Sequence, residues 1–200
     1  MKEPKVSIIM NCLNGSEYLK EALDSVMMQT YKNWEVIFWD NASTDDSASI
    51  AKSYGEKINY FCSDSTIKIS IARERAFNEA SGEYIAILDV DDIWFPKKLE
   101  KQIDVFKKNK NIGVVFCDTM NFDEGGDRFN QFSLVRPCRG KVFGKILRNN
   151  FLSSVALVFK REVLFSLDYI YDKRFIAIED YDLTLRIAMK NQYDFVNEVL

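Results

Sequence analysis

The chain has 200 residues, 47% of them hydrophobic and 14% aromatic, which suits one sizeable domain with its own core and excludes a disordered chain. Lys and Arg number 27 against 30 Asp and Glu, so the net charge of −3 offers no basic footprint for nucleic acid. Histidine is absent, which excludes His-ligated metal sites and His-dependent triads within this chain.

The chain begins Lys2, Glu3, Pro4, Lys5 and then Val6 to Met10, an apolar run too short for the core of a signal peptide. That run reads as a first buried strand, with Asn11 to Gly15 as the turn after it. Ser16 can cap a helix to about Gln29, whose stripe is Leu19, Ala22, Leu23, Val26 and Met27. Trp34 to Trp39 is a second strand with Asp40 and Asn41 beyond it, and Ser43 or Thr44 caps a short helix to about Tyr54. Ile58 to Cys62 is a weaker strand. Ile69 to Ala80 is helical, with Ala72, Ala76, Phe77 and Ala80 inward and Gly82 as its stop.

Tyr84 to Leu88 is apolar without alternation, as in a strand buried on both faces, and runs straight into Asp89, Asp91 and Asp92. Pro96 opens a helix to about Lys108, and Ile112 to Cys117 is another buried strand. The alternation over residues 1–118 argues an α/β fold with a mainly parallel sheet. The second half is less regular. It holds a turn at Asp123 to Arg128, a strand at Phe129 to Val135, a helix at Val142 to Leu147 and a strand at Val155 to Phe159. A short helix at Arg161 to Leu167, a helix at Ile178 to Lys190 and a strand at Tyr193 to Val196 follow. No linker or repeat interrupts the chain, so 1–200 reads as one domain. Cys12, Cys62, Cys117 and Cys138 form no C-x-x-C pair and read as reduced, mostly buried thiols of a cytosolic protein. No run approaches the ~20 apolar residues of a transmembrane helix.

In a parallel sheet the strand C-termini share one edge, where ligands bind, so Asp40 with Asn41 and Asp89 with Asp91 and Asp92 can face one crevice. Oxygen donors there can hold a hard cation that bridges to a diphosphate. Arg73 can clamp a phosphate bidentately, and Asp180 can serve as a general base. Bland readings stand beside these: capping turns for the strand-end acids, a solvated helix charge for Arg75, and dipole complements for Glu179, Asp180 and Asp182.

The opening V-S-I-I-M-N-C-L-N-G-S-E-Y-L-K-E-A-L-D-S-V, the W-D-N-A-S-T-D-D-S at 39–47, I-A-R-E-R-A at 71–76, G-E-Y-I-A-I-L-D-V-D-D at 82–92 and I-E-D-Y-D-L-T-L-R-I-A at 178–188 together resemble family 2 glycosyltransferases. The resemblance runs over nearly the whole chain. It implies the GT-A fold and an inverting transfer from a nucleotide-diphospho-sugar, with Mn²⁺ or Mg²⁺ on the D-x-D motif. It places Asn11, Leu13, Asp40 and Asn41 at the nucleoside, Arg73 near the ribose and diphosphate, Asp89, Asp91 and Asp92 at the metal and ribose, and Asp180 as the base. Residues 1–118 would bind the nucleotide-sugar, and 119–200 the acceptor, with Phe151, Ser153 and Ser154 as lining. It further implies a UDP-sugar donor, a glycan or lipid-linked acceptor, and a cytoplasmic enzyme working at the inner membrane face. Relatives usually continue beyond the E-D helix, so a catalytic core lacking a C-terminal membrane-association segment is expected. This sequence departs from the family in having Leu13 where an aromatic is common, Asn41 where Asp is common, and no His beyond the E-D helix. Two other readings of the acids remain: a D-x-D phosphatase, and a sugar-nucleotide-binding module without catalysis.

Overall fold

The computed structural model describes residues 3–122, 125–126, 128–175 and 177–200. In chain order they form β1 (Val6–Cys12), α1 (Ser16–Met27), β2 (Trp34–Asp40), α2 (Ser47–Ser53), β3 (Ile58–Cys62), α3 (Ile69–Asn78), β4 (Tyr84–Ile87), α4 (Lys98–Lys108) and β5 (Ile112–Asp118). There follow β6 (Met120–Phe122), β7 (Arg128–Asn130), α5 (Gln131–Leu134), α6 (Phe143–Arg148), β8 (Val158–Lys160), α7 (Arg161–Phe165), α8 (Glu179–Lys190) and β9 (Gln192–Val199).

A seven-stranded sheet runs β3-β2-β1-β4-β8-β5-β9. Its pairings are parallel except for those of β8, which lies antiparallel between β4 and β5. β6 and β7 make a separate small antiparallel sheet. The unbroken apolar runs have a plain cause, because the strands feed two cores by turns. Ile8, Met10, Val36, Phe38, Ala86 and Leu88 pack beneath α1, α2 and α4, whereas Ile9, Ile37, Trp39, Ile85 and Ile87 pack against α3, α6, α7 and α8. Each fully buried Leu, Ile or Phe in these cores contributes roughly 1.5–3 kcal/mol.

Several local expectations are corrected. Ser16 makes no capping bond; the amides of Gly15 and Ser16 are taken instead by Ser47 Oγ at 3.0 Å and Asp45 Oδ2 at 2.9 Å. Asp45 is held well below the ordinary carboxylate range by the hydroxyl and amide of Ser47 and the amide of Ser16, which together outweigh its desolvation. Ser43 and Thr44 precede α2 without capping it. α3 ends at Asn78, so Gly82 is not its stop. A Cβ at Gly82 would lie 2.7 Å from both the Lys5 carbonyl and the Ser7 amide, so glycine there lets β4 approach β1. Pro96 lies two residues before α4. The strand expected at 129–135 is instead β7 followed by α5, and β6 was not foreseen. Of the expected turn at 123–128, residues 123, 124 and 127 lie outside the described residues. Val155 and Ala156 lie in a 3-10 turn (Ser154–Ala156), so β8 begins only at Val158. Phe151 is buried, 5.6 Å from the Phe116 ring, and is core rather than lining. The four cysteines are free thiols, but Cys62 is exposed and Cys138 half-buried.

Candidate active site

Both strand-end acidic groups lie at one edge of the sheet. Cys12 and Asp40 are in register across β1 and β2, and the Leu88 amide beyond β4 reaches the Ile9 carbonyl at 3.0 Å. The turns that follow β1 and β2 lock together. Asn14 and Ala42 both adopt left-handed backbone conformations, at φ 54° and 64°. Asn14 accepts from the Thr44 amide at 2.8 Å and donates its own amide to Ser43 Oγ at 3.0 Å.

Within this frame Asp40 is fully buried, accepting from Tyr60 Oη at 2.6 Å and the Ser43 amide at 2.7 Å. Asn41 is buried too. Its amide donates to the Ile67 carbonyl at 2.9 Å, and its oxygen accepts from the Ile67 amide at 3.0 Å. Both residues therefore build the crevice wall with most of their hydrogen-bonding capacity. Asn11 differs, because its buried Nδ2 has no partner, while Leu13 is 48% exposed beside it. A buried donor left unsatisfied costs about 1–3 kcal/mol. A ligand carbonyl or hydroxyl at Asn11 would remove that cost.

The second group is drawn together across the chain. Arg73, from α3, is largely buried and lies among acids. Its Nη2 meets Asp89 Oδ1 at 3.1 Å, while its Nη1 meets Asp180 Oδ2 at 2.9 Å and Glu179 Oε1 at 3.6 Å. Against the opposing effect of burial, Tyr171, Asp180 and Asp89 hold the guanidinium above its ordinary range. Asp180 Oδ1 accepts from Tyr171 Oη at 3.0 Å. Three buried polar atoms on these elements lack partners: Ser70 Oγ, Arg73 Nε and Glu179 Oε2. Arg73 is thus engaged by carboxylates in this state, rather than standing free as a phosphate clamp.

Asp91 is exposed and Asp92 half-buried in the turn closed by the Asp92 amide on the Asp89 carbonyl at 3.2 Å. Burial first, and then the charges of Asp89 and Asp91, push Asp92 up to about 6. Asp89 is raised by burial despite its Arg73 partner. Carboxyls raised by neighbouring negative charge, as Asp89 and Asp92 are, are relieved by a cation. Among the described residues no cluster of three or more acidic or cysteine side chains makes a complete cage. Mg²⁺ and Mn²⁺ suit such a site, since one or two carboxylates with the substrate's phosphates and water complete their shell. The donor set of Asp91 and Asp92 therefore fits such an ion.

Tyr171, Glu179 and Tyr60 stand outside the expected site, Glu179 being read from sequence only as a dipole complement in the acidic first turn of its helix. The first two are side chains whose partners lie in other elements, and no local periodicity marks them. Tyr60 sits in β3 as an ordinary strand aromatic, and only the register placing Cys62 beside Asp40 brings its hydroxyl to that carboxylate.

The model of the family described as glycosyl transferase family 2 matches residues 7–166. The chain is 30% identical to UDP-Glc:alpha-D-GlcNAc-diphosphoundecaprenol beta-1,3-glucosyltransferase WfgD of Escherichia coli, over 98% of this chain and 75% of that protein. In three dimensions it is similar to S. aureus TarS 1-349 in complex with UDP-GlcNAc, with a TM-score of 0.78 and 20% identity over 98% of this chain and 60% of that one. It is similar also to the mannosyltransferase PcManGT of Pyrobaculum calidifontis in complex with GDP-Man and Mn²⁺, with a TM-score of 0.75 and 21% identity over 100% of this chain and 56% of that one. The fold is that of the GT-A glycosyltransferases. Among the described residues no helix is long and apolar enough to cross a membrane.

Proposed function

The chain belongs to glycosyl transferase family 2, and from that premise we propose that it moves a sugar, with inversion, from a UDP-linked donor to a hydroxyl of a glycan or lipid-linked acceptor. The observation that carries this reading is the bridge made by Arg73. It joins Asp89, beside the D-V-D-D turn, to Asp180, which is 107 residues from Arg73 in sequence. The acidic turn and the carboxylate of Asp180 are thereby fixed on either side of one guanidinium.

In this reading residues 1–118 hold the nucleotide-sugar, and 119–200 supply the acceptor side and the base. Asn11 and Leu13, with Asp40 and Asn41 behind them, receive the nucleoside. Arg73 sets the spacing between Asp89 and Asp180. The acceptor hydroxyl gives its proton to Asp180 as its oxygen attacks the anomeric carbon, the bond from that carbon to the diphosphate oxygen breaks, and the nucleoside diphosphate leaves. Asp91 and Asp92 would hold Mn²⁺ or Mg²⁺, which when bound supplies neutralising charge for the departing diphosphate. A UDP donor is supported by the UDP-Glc and UDP-GlcNAc of two similar proteins, and a divalent ion by the Mn²⁺ of the third. An acceptor carried on lipid, and so an enzyme working from the cytoplasm at the inner membrane face, is supported by the diphosphoundecaprenol in the name of the E. coli protein. A phosphatase reading is disfavoured, because the glycosyl transferase family 2 model matches residues 7–166, the D-V-D-D turn included.

Calorimetry with UDP, GDP and their sugars in Mn²⁺ tests the donor half of this reading. The expected result is metal-dependent binding of the uridine compounds that weakens at least about tenfold in Asp91→Ala, the loss of a charged ligand contact being worth about 1.5–3 kcal/mol. Equal affinity in the variant, or binding indifferent to metal, would refute it.

A further inference from the structure

Tyr171 lies nine residues before Asp180, in the segment leading to α8. It is 1% exposed, edge-on to Phe77 with ring centroids 5.8 Å apart, and the Arg73 guanidinium carbon stands 5.8 Å from its ring centroid. Its hydroxyl donates to Asp180 Oδ1 at 3.0 Å, while Arg73 donates to Asp180 Oδ2 at 2.9 Å. Each oxygen of this carboxylate is therefore held by a different element. The Asp180 side chain nonetheless remains 33% exposed, so the carboxylate stays accessible to an incoming hydroxyl.

The tyrosine is itself anchored to the helix that carries Asp180. Arg186 of α8 donates to the carbonyls of Tyr169 at 2.8 Å and Ile170 at 2.5 Å, and to Asp182 at 2.8 Å. On the far side Asp172 pairs with Arg174 at 2.6 Å. Burial and then the Asp180 charge push the phenol well above its ordinary range, so it stays protonated and donates across the working pH range.

Resting on the assignment of Asp180 as base, we propose that Tyr171 is a positioning residue that fixes the rotamer of the Asp180 carboxylate, through its hydroxyl and with Arg73 as the opposing donor. A carboxylate held from two sides presents its remaining lone pairs in one direction, which is what proton transfer from a bound hydroxyl requires.

Tyr171→Phe tests this, because it keeps the ring packing and deletes one hydroxyl. The expected result is a kcat lower by about tenfold, the scale of a hydrogen bond to a charged group. The donor KM should stay within about twofold and nucleotide binding by calorimetry should be unchanged, because the hydroxyl touches only the base. The acidic limb of the pH–rate profile should also move to higher pH, since the ionised base has lost a stabilising donor. A variant with wild-type kcat and an unmoved acidic limb would overturn the inference while leaving the proposed function standing. Asp180→Asn, measured alongside, separates the two. Turnover at the wild-type rate there would remove the base assignment, and this inference with it.

Discussion

Asp92 shows how a single residue records the chemistry of its surroundings. Its carboxyl is pushed up to about 6 by burial, then by Asp89 and Asp91. A carboxyl raised in the folded state binds its proton more tightly there than in the unfolded chain. The folded state is therefore penalised as pH rises through the interval from about 4 to about 6, and below that interval the penalty is absent. Thermal unfolding in the absence of divalent ions should find Asp92→Asn and the wild type alike near pH 4. The variant should become the more stable as pH rises from about 4 to about 6 and keep that advantage above it, and saturating Mn²⁺ should restore the wild type. A gap that does not change with pH would mean the carboxylates do not strain one another. At this scale the sequence was partly legible. The acids announced themselves by following a buried strand. Arg73 did not announce its partners, because Asp180 lies far along the chain and an arginine read alone looks like a phosphate clamp. Tyr171 was silent for the same reason: its hydroxyl has meaning only once α8 has packed against α3.

The elements were legible where one periodicity ran unbroken. β1, β2, β4 and β5 are mostly apolar because each is covered on both faces, with Ser7 and Glu35 breaking the runs of β1 and β2, and α1 and α4 carry full helical stripes. Legibility failed at the joints. The start of α1 is satisfied by Asp45 and Ser47 from the next turn rather than by Ser16, and a reading of local caps cannot see an acceptor about thirty residues away. β6, β7 and α5 are short and largely exposed, so they carry no pattern to read. The joint that matters most is at Gly15, where a Cβ would sit 2.8 Å from Val90 Cγ2 and 3.0 Å from Cys12 Sγ. The loop after β1 thus rests directly on the D-V-D-D turn. Gly15→Ala must push Val90 away, at a cost of about 1–3 kcal/mol. If that strain falls on the turn, calorimetry should find nucleotide affinity in Mn²⁺ reduced about tenfold. Unchanged affinity would mean the turn yields without consequence for the ligand.

At the scale of the molecule, the fold is a means of bringing distant side chains to one edge. The strand order β3-β2-β1-β4 sets the crevice turns side by side, and the antiparallel β8 lets the second half of the chain return beside the first. α8 then packs on the same face as α3, in the core that holds Phe77, Leu183 and Ile187, which carries Asp180 to Arg73. The α/β architecture could be read from the alternation of strands and helices. The mixed edge at β8, β5 and β9 could not, because three residues of β8 give too short a run to show direction. As proposed above, this edge transfers sugar with Asp180 as its base. The most direct measurement is release of nucleoside diphosphate from the donor in the presence of acceptor, by wild type and Asp180→Asn, with donor affinity measured on both. Equal donor affinity and a kcat reduced at least about 10²-fold are expected in the variant. Turnover by Asp180→Asn at the wild-type rate would contradict it.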